Sequence, residues 1–417
     1  MRAATICSTL PRSTPIRTDP VTKALSGIKV LDLSRVLAGP WCTQMLGDLG
    51  AEIIKIEQPG KGDDTRGWGP PWHGEGEERL SAYYLSANRN KKSVAIDISK
   101  PEGQALIREM AAKCDVLVEN FKVGGLEKYG LDYMGLKAIN PRLVYCSITG
   151  FGHSGPRAHQ PGYDLMVQGM SGLMSVTGDP AGEPQKVGVA LVDVMTGLHA
   201  CIAVLAALNQ RHATGRGQFI DMALLDVAVS TLANIGLNQR VTGVAPKRMG
   251  NAHPSVVPYQ VFETADGHMI VAVGNDSQFA HFAGALGLGA LAEDDRYRTN
   301  AARVEHRGTL IPQLAAAMKT QTTAHWDAAL EAVNVPAGPI NDIGQALADP
   351  QSAARGLATM AGNRPAIASP LRLSDSMPDA GTEPPLLGQN TEEVLRTFLG
   401  HSDADLAALR ARGVLPA

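Results

Sequence analysis

The chain has 417 residues, of which 44% are hydrophobic and 19% charged, so it is long enough for two or three domains with a sizeable core. Its formal net charge of -3 argues against a general nucleic-acid-binding protein, because neutralising phosphates requires a surplus of basic residues. The nearest approach to a membrane-spanning run, residues 201–208, is far too short. The five cysteines include no CxxC pair, which indicates buried thiols and favours neither a metal site nor a disulfide framework.

The first 24 residues differ in composition from the rest of the chain. They are rich in arginine, threonine, serine and proline, and no acidic residue precedes Asp19. Mitochondrial transit segments share this composition, but Pro11, Pro15 and Pro20 argue against an amphipathic helix. We therefore expect a disordered extension at 1–24 and a cytoplasmic protein, with mitochondrial targeting as the alternative.

The ordered part opens with a strand–helix–strand pattern. Residues 28–33 and 51–57 are apolar enough for strands, and residues 41–49 between them form a predicted helix that ends at Gly50. This start is typical of doubly wound α/β folds, but no GxGxxG motif follows the first strand, so a nicotinamide cofactor is not expected. Further strands are predicted at 93–98, 115–119, 143–148 and 219–222, and helices at 101–113, 126–129, 133–139, 164–171 and 224–237.

The pattern of predicted strands and helices changes near Gly250. A β-hairpin is predicted from residues 257–264 and 269–273, and helices at 276–286, 301–318 and 323–333 follow it. We expect the following division: a Rossmann-like large domain at 25–225, a linker helix at 226–249, a small α/β domain at 250–335, and a return to the large domain with a C-terminal tail at 336–417.

A single carboxylate, Asp193, stands between two apolar segments. The run 189–192 before it is predicted as a short buried strand, and the apolar segment after it as a helix to about Gln210. A carboxylate at a helix N-terminus is stabilised by free N–H groups and the helix dipole. Taken alone, this segment fits an N-cap better than a catalytic group, because caps are far commoner.

Matching segments across the chain indicate a family. Over residues 25–417 the sequence resembles the class III CoA-transferases (the CaiB/BaiF group), and most closely those members that transfer CoA from succinyl-CoA to glutarate. The matching segments are 25–33, 38–40, 49–57, 62–66, 88–93, 118–121, 214–218 and 387–389, with 35–40, 250–253 and 257–260 for the glutarate-using members.

The resemblance implies that Asp193 is the nucleophile of a CoA-transferase. It also implies a Rossmann-like large domain with a smaller α/β domain, in ring-shaped subunits that form an interlocked homodimer. The expected partners are acyl-CoA and carboxylic acid substrates, without nucleic acid or membrane. A CoA thioester serves as substrate, and no permanently bound cofactor or metal is expected.

The resemblance also suggests residues that bind CoA or the acids. Val36 and Ala38 are expected to contact CoA through their backbone, and Lys128 lies where a relative uses arginine on the CoA phosphates. Each candidate has an ordinary alternative, such as a turn residue for Asn120 or a solvated helix lysine for Lys128. The full candidate set is Val36, Ala38, Arg66, Arg89, Asn120, Lys128, Tyr163, Arg248, Gly250 and His253.

A short dicarboxylic acid is the expected acceptor. Arg66, Arg89 and Arg248 are candidates for its far carboxylate, because arginine pairs with carboxylates in a bidentate manner. Oxalate is not expected, since Leu37 stands where formyl-CoA transferases carry glutamine, and their multi-glycine loop is absent.

Two alternatives share the scaffold. An α-methylacyl-CoA racemase would carry histidine after Gly162, whereas this chain has Tyr163, a poor base at neutral pH. A protein that only binds CoA would not need Asp193.

Overall fold

The computed structural model describes residues 23–416. The predicted extension at 1–24 therefore lies outside the described residues, except for its last two positions. Ala24 begins a turn that leads into the first strand.

A six-stranded parallel sheet forms the centre of the larger part of the molecule. Every neighbouring pair of its strands is parallel, and their spatial order is 3-2-1-4-5-6. This is the order of a doubly wound fold, in which ligands bind beyond the carboxyl ends of strands 1 and 4, where the winding reverses. The strands are β1 (Lys29–Asp32), β2 (Glu52–Glu57), β3 (Lys91–Ala95), β4 (Val116–Glu119), β5 (Val144–Thr149) and β6 (Phe219–Ala223).

The helices cover both faces of this sheet and build most of the smaller part. In chain order they are α1 (Ala38–Asp48), α2 (Ala82–Ala87), α3 (Pro101–Lys113), α4 (Tyr133–Ile139), α5 (Asp164–Met170), α6 (Leu173–Val176), α7 (Leu191–Thr214), α8 (Leu224–Ser230), α9 (Ala233–Thr242), α10 (Asp276–Ala285), α11 (Asn300–Glu305), α12 (Arg307–Met318), α13 (Thr323–Ala332), α14 (Ile343–Ala348), α15 (Pro350–Ala354), α16 (Thr391–Val394) and α17 (Asp403–Ala411).

Two hydrophobic cores lie on opposite faces of the sheet. Successive residues of a strand point to opposite faces, so Leu31 belongs to the core under α3, α4 and α17, whereas Val30 belongs to the core under α1 and α7. Both are fully buried. Burying side chains of this size stabilises the fold by about 1.5–3 kcal/mol each.

A second sheet has its own core. It is antiparallel, with β8 (His268–Ala272) between β7 (Tyr259–Glu263) and β9 (Ala337–Pro339). Phe262 and Met269 pack there against α10, α12 and α13. A separate hairpin follows, formed by β10 (Ala358–Ala361) and β11 (Arg364–Ile367).

The structure corrects three predicted elements. The predicted strand at 189–192 is not a strand, because α7 already begins at Leu191 and residues 183–190 are irregular. A short apolar run fits a buried helical turn as well as a strand, and here Val192 is buried in the first turn of α7. The predicted helices at 224–237 and 301–318 are each divided in two, into α8 with α9 and α11 with α12.

Helix α7 is the longest helix in the described part of the chain. By length and composition alone its 24 residues are apolar enough to cross a membrane. Its buried residues pack against α1, β5 and β6 in the second core, which is the arrangement of a core helix. Gly197 allows this contact, since a Cβ there would lie 2.7 Å from the carbonyl oxygen of Ala38 and 3.0 Å from Cβ of Trp41.

We expect Gly197→Ala to destabilise the fold by about 1–3 kcal/mol, because the added methyl forces α1 away from α7. Gly308→Ala is the matched control. It also replaces a helical glycine, but in open space, so it should stabilise by about 0.5–1 kcal/mol. Chemical denaturation measures both. Equal free energies of unfolding for the two variants would contradict this account of the α1–α7 contact.

Candidate active site

A cleft of about 460 Å³ opens beyond the carboxyl ends of β1, β4 and β5. It lies at the point where the sheet order reverses, as the doubly wound topology predicts. Of the candidate residues from the sequence, it brings together Val36, Ala38, Asn120, Lys128, Tyr163 and Asp193.

Asp193 is the third residue of α7 and is not its N-cap. The N-cap is Ala190, which has no capping side chain. The carboxylate of Asp164, at the start of α5, takes this role, because its Oδ1 accepts hydrogen bonds from the backbone N–H groups of Val192 at 2.8 Å and Asp193 at 3.3 Å. The capping function therefore belongs to Asp164, and the carboxylate of Asp193 is free for another role.

The carboxylate of Asp193 makes no hydrogen bond or ion pair with any residue between 23 and 416. Burial and then the negative charge of Asp164 raise its pKa to about 7. A carboxyl group with this pKa is divided between its neutral and ionised forms near neutral pH. Its ionised form is poorly solvated, which is the condition expected of a nucleophile that needs no general base.

Tyr83, on α2, lies within electrostatic reach of this carboxylate. Burial, followed by the charges of Asp193 and Asp164, raises the pKa of its phenol to about 12. The ring packs edge-on against Trp68, with 5.2 Å between ring centroids. Because its phenol stays protonated, Tyr83 adds no negative charge near Asp193.

The sequence did not identify Asp164 or Tyr83 as site residues. The signals present were indirect: the Gly162-Tyr163-Asp164 segment before a predicted helix, and the long irregular region of 58–90 that contains Tyr83. Neither pattern shows that Asp164 caps α7 or that Tyr83 lies within electrostatic reach of Asp193.

Asn120 connects the two sides of the switch point. Its Oδ1 accepts a hydrogen bond from the backbone N–H of Arg35 at 2.9 Å, and its Nδ2 donates to the backbone carbonyl of Arg35 at 2.7 Å. The side chain at the end of β4 thus fixes the loop that follows β1. The Arg35 guanidinium lies over the ring of Phe121, 5.8 Å from its centroid, and pairs with Asp64 at 3.0 Å.

Lys128 lies on the rim of the cleft. Its ammonium group lies 4.6 Å from the ring centroid of Tyr129, and its side chain is exposed. With Arg35 and Lys122 it gives the cleft three cationic groups. Tyr163 is 67% exposed on the same rim.

Arg66 and Arg89 were predicted to bind anions, but the structure places both in internal ion pairs. Arg66 donates to both carboxylate oxygens of Glu57, at 2.9 and 2.7 Å, and to the hydroxyl of Tyr84. Arg89 forms a buried bidentate pair with Asp48. Neither lines the cleft, because a buried carboxylate already occupies the fork of each guanidinium.

Arg248, Gly250 and His253 lie in one irregular segment and do not line the cleft either. Arg248 donates to the carbonyls of Asp179 and Gly182, and the N–H of Gly250 donates to the carbonyl of Gly178. His253 accepts a hydrogen bond from the N–H of Ser255. Arg248 and Gly250 thus tie their segment to the loop that leads into α7.

Within residues 23–416 there is no group of three or more His, Cys, Asp or Glu side chains that could hold a metal ion. The four cysteines in this part of the chain, Cys42, Cys114, Cys146 and Cys201, are buried thiols, as predicted.

Whole-chain comparison with known proteins shows the family. The family described as CoA-transferase family III matches residues 25–391. The chain belongs to CoA-transferase family III. It is therefore an enzyme of the class III CoA-transferase type, which acts on CoA thioesters.

Within CoA-transferase family III, the chain is similar to the following two relatives and one solved structure. The chain is 49% identical to the Succinate–glutarate CoA-transferase of Agrobacterium fabrum, over 89% of this chain and 94% of the relative. It is 44% identical to the human Succinyl-CoA:glutarate CoA-transferase, over 94% and 90%. A crystal structure of a CAIB/BAIF family protein from Brucella suis matches with a TM-score of 0.81 and 48% identity, over 89% and 98%.

The raised pKa of Asp193 predicts the pH dependence of this CoA-transferase family III member. If the ionised carboxylate is the reactive form, kcat/KM should rise with pH through about 7 and then level off. Asp164→Asn keeps the side-chain oxygen that caps α7 but removes the negative charge, so the midpoint should move to lower pH. Asp342→Asn, a cap replacement on α14, is the control that should leave the midpoint in place. An unmoved midpoint in Asp164→Asn would show that Asp164 does not act on the ionisation of Asp193.

Stability should depend on the same group. The folded-state pKa of Asp193 lies above the ordinary value of 3.8, so ionising it disfavours the folded state. This penalty is absent below about pH 4, grows between pH 4 and 7, and is complete above 7. Asp193→Asn should therefore raise the melting temperature by about 2 °C or more at pH 8 and hardly change it near pH 4. Thermal melts across this range test the prediction, and a pH-independent difference would contradict it.

Proposed function

We propose that this enzyme transfers CoA from succinyl-CoA to glutarate or a closely related short dicarboxylic acid, with Asp193 as the nucleophile. The observation that carries the proposal is the carboxylate of Asp193 in the cleft at the sheet's switch point, which pairs with no side chain in the described range 23–416. The names of the Agrobacterium fabrum and human relatives support succinate and glutarate as the two acids.

The chemistry proceeds in four balanced steps. The Asp193 carboxylate attacks the succinyl carbonyl, which gives a mixed anhydride and releases CoA thiolate. The thiolate attacks the aspartyl carbonyl, so that succinate leaves and an aspartyl-CoA thioester remains. Glutarate attacks this thioester, which gives a second mixed anhydride and again releases the thiolate. The thiolate then attacks the glutaryl carbonyl of the anhydride, so that glutaryl-CoA forms and Asp193 leaves as a free carboxylate. Covalent catalysis thus replaces one difficult exchange by steps of similar energy, with no hydrolysis of the thioester.

Each tetrahedral intermediate carries a developing oxyanion. Helix α1 begins at Ala38, its N-cap Leu37 provides no side-chain cap, and Ala38 lines the cleft. The first N–H groups of a helix have no partner within the helix, and the helix dipole favours negative charge at that end. We propose the N-terminus of α1 as an oxyanion donor. The amides around Gly250 lie outside the cleft of this chain.

The cleft also suits the shape and charge of CoA. A second cavity, of about 280 Å³, shares Arg35, Phe121 and Tyr129 with the Asp193 cleft, which gives an extended ligand a continuous path. The cations Arg35, Lys122 and Lys128 lie along this path and can neutralise phosphates. The thioester end would then lie at Asp193 and the nucleotide end towards the second cavity.

The far carboxylate of the acceptor needs a cation. Arg66 and Arg89 are occupied by Glu57 and Asp48, so Arg248 remains as the candidate among the three predicted arginines, although it lies outside the Asp193 cleft as the described residues form it. It donates to backbone carbonyls, and a carboxylate ligand would offer it a stronger bidentate partner.

The interlocked homodimer of ring-shaped subunits also stays a proposal. Leu237, Val241 and Val244 are at least 63% exposed on or just after α9, and such an apolar surface favours contact with a second subunit. We propose a cytoplasmic location, since buried thiols suit a reducing compartment, with mitochondrial targeting by residues 1–24 as the alternative.

A panel of matched acids with succinyl-CoA tests the proposal, with CoA products read by mass spectrometry. Glutarate and its near relatives should exceed butyrate by at least about 100-fold in kcat/KM, because a cation that pairs with the second carboxylate finds no partner on a monocarboxylate. Enzyme treated with succinyl-CoA and hydroxylamine should be modified at Asp193, and Asp193→Ala should retain CoA binding but no measurable transfer.

Other outcomes would redirect the proposal. A label found only on a cysteine would overturn the aspartyl mechanism. Equal efficiency with butyrate would overturn the dicarboxylate class while leaving Asp193 in place. Exchange of the α-proton of a 2-methylacyl-CoA in deuterium oxide, without transfer, would indicate a racemase.

A further inference from the structure

A buried ion pair lies behind the loop that joins β1 to α1. The Lys55 ammonium donates to the backbone carbonyl of Ser34 at 2.8 Å and to Oδ2 of Asp63 at 2.9 Å. Both charged side chains are wholly buried. Oδ1 of Asp63 accepts a hydrogen bond from the backbone N–H of Val36 at 3.2 Å. The pair thus holds the loop at two positions, one on each side of Arg35.

Val36 is strained in this loop. Its φ of 71° lies in the left-handed region, which is a true outlier for a β-branched residue. Such a conformation persists only where the surrounding structure imposes it. The loop lies between β1 and the start of α1 and forms one wall of the Asp193 cleft through Arg35, Val36, Leu37 and Ala38.

The Asp63 carboxylate is itself fixed in one orientation. It accepts hydrogen bonds from the N–H and hydroxyl of Thr65, and the N–H of Asp63 donates to Glu57. Burial alone would raise the pKa of this carboxyl group, but the Lys55 ammonium and the Thr65 hydrogen bonds outweigh it and lower the pKa to about 2. It therefore remains ionised wherever the enzyme works.

We infer that the Asp63–Lys55 pair is a positioning device that holds Val36 in its left-handed conformation and so sets the affinity of the cleft for acyl-CoA. Asp63 does not line the Asp193 cleft and acts on it through Val36. It does line the second cavity, where its negative charge would repel the CoA phosphates, so a direct effect of removing that charge would strengthen CoA binding, whereas loss of the positioning weakens it. The inference rests on the proposed function only in placing acyl-CoA against this wall.

The first test compares wild type with Asp63→Asn, which keeps an oxygen acceptor but loses the negative charge that pairs with Lys55. CoA binding by calorimetry should weaken about tenfold, which corresponds to about 1.4 kcal/mol. KM for succinyl-CoA should rise by a similar factor, whereas KM for glutarate and kcat should change less than about twofold. A purely structural role would instead lower the active fraction, and therefore kcat, with both KM values unchanged.

The second test relieves the strain that Asp63 offsets. Val36→Gly accepts a positive φ freely, whereas Val36→Ala removes the same methyl groups but keeps the Cβ that opposes it. Added to Asp63→Asn, Val36→Gly should restore most of the CoA affinity and Val36→Ala should not. Equal recovery by both replacements, or by neither, would overturn the inference.

A third variant covers the case in which Asp63→Asn fails to fold because Lys55 is left buried without its partner. Lys55→Met combined with Asp63→Leu removes both charges and keeps the volume, which proteins often tolerate. This double variant should fold, yet bind CoA about tenfold more weakly than wild type, the equivalent of about 1.4 kcal/mol. Wild-type affinity in a folded double variant would overturn the inference. Failure of the wild-type enzyme itself to bind CoA would instead contradict the proposed function.

Discussion

Four buried charges at the carboxyl end of β1 determine where the cleft can form. Asp32 and Lys91 form one pair and Asp63 and Lys55 the other, and all four side chains are fully buried. Removing such charges from water is costly unless each is paired and fully hydrogen-bonded. Here the spare donors are used on the chain itself, because Lys55 and Lys91 donate to the carbonyls of Ser34 and Pro40. The requirement to satisfy buried charges therefore fixes the start of the loop before α1 and the first turn of α1.

Asp63 and Asp193 show how environment divides identical side chains between two tasks. An ammonium group and several hydrogen-bond donors surround Asp63, so its pKa falls to about 2. Asp193 is buried near the carboxylate of Asp164 and forms no ion pair within the described part of the chain, so its pKa rises to about 7. Hydrogen bonds and opposite charges stabilise an ionised carboxylate, whereas burial and like charge destabilise it. One aspartate therefore serves as a fixed structural anion, and the other is left reactive.

The way in which α7 begins helps to explain why the pKa of Asp193 is raised. Ala190 cannot cap the helix, so the free N–H groups of Val192 and Asp193 are satisfied by Asp164 from α5. That arrangement orients the first turn of α7 and at the same time brings a negative charge close to Asp193. The close contact at Gly197 then holds this turn against α1, whose own N-terminus lines the cleft.

The sequence alone determined the elements whose signals are local. The 28–57 strand–helix–strand pattern, the 101–113 helix opened by Pro101, and the apolar helix around 198–210 follow from residue spacing and helix-start rules. Ordered motif matches indicated the family. The tertiary structure decided what depends on partners distant in the chain. It assigned Arg66 and Arg89 to Glu57 and Asp48, gave the cap of α7 to Asp164, and turned the predicted strand at 189–192 into an irregular segment and a helical turn. Hydrophobic periodicity shows which face of a helix or strand is buried. It does not show which distant charged residue will pair with a side chain there, because such pairs form only after the order of the strands has brought the loops together.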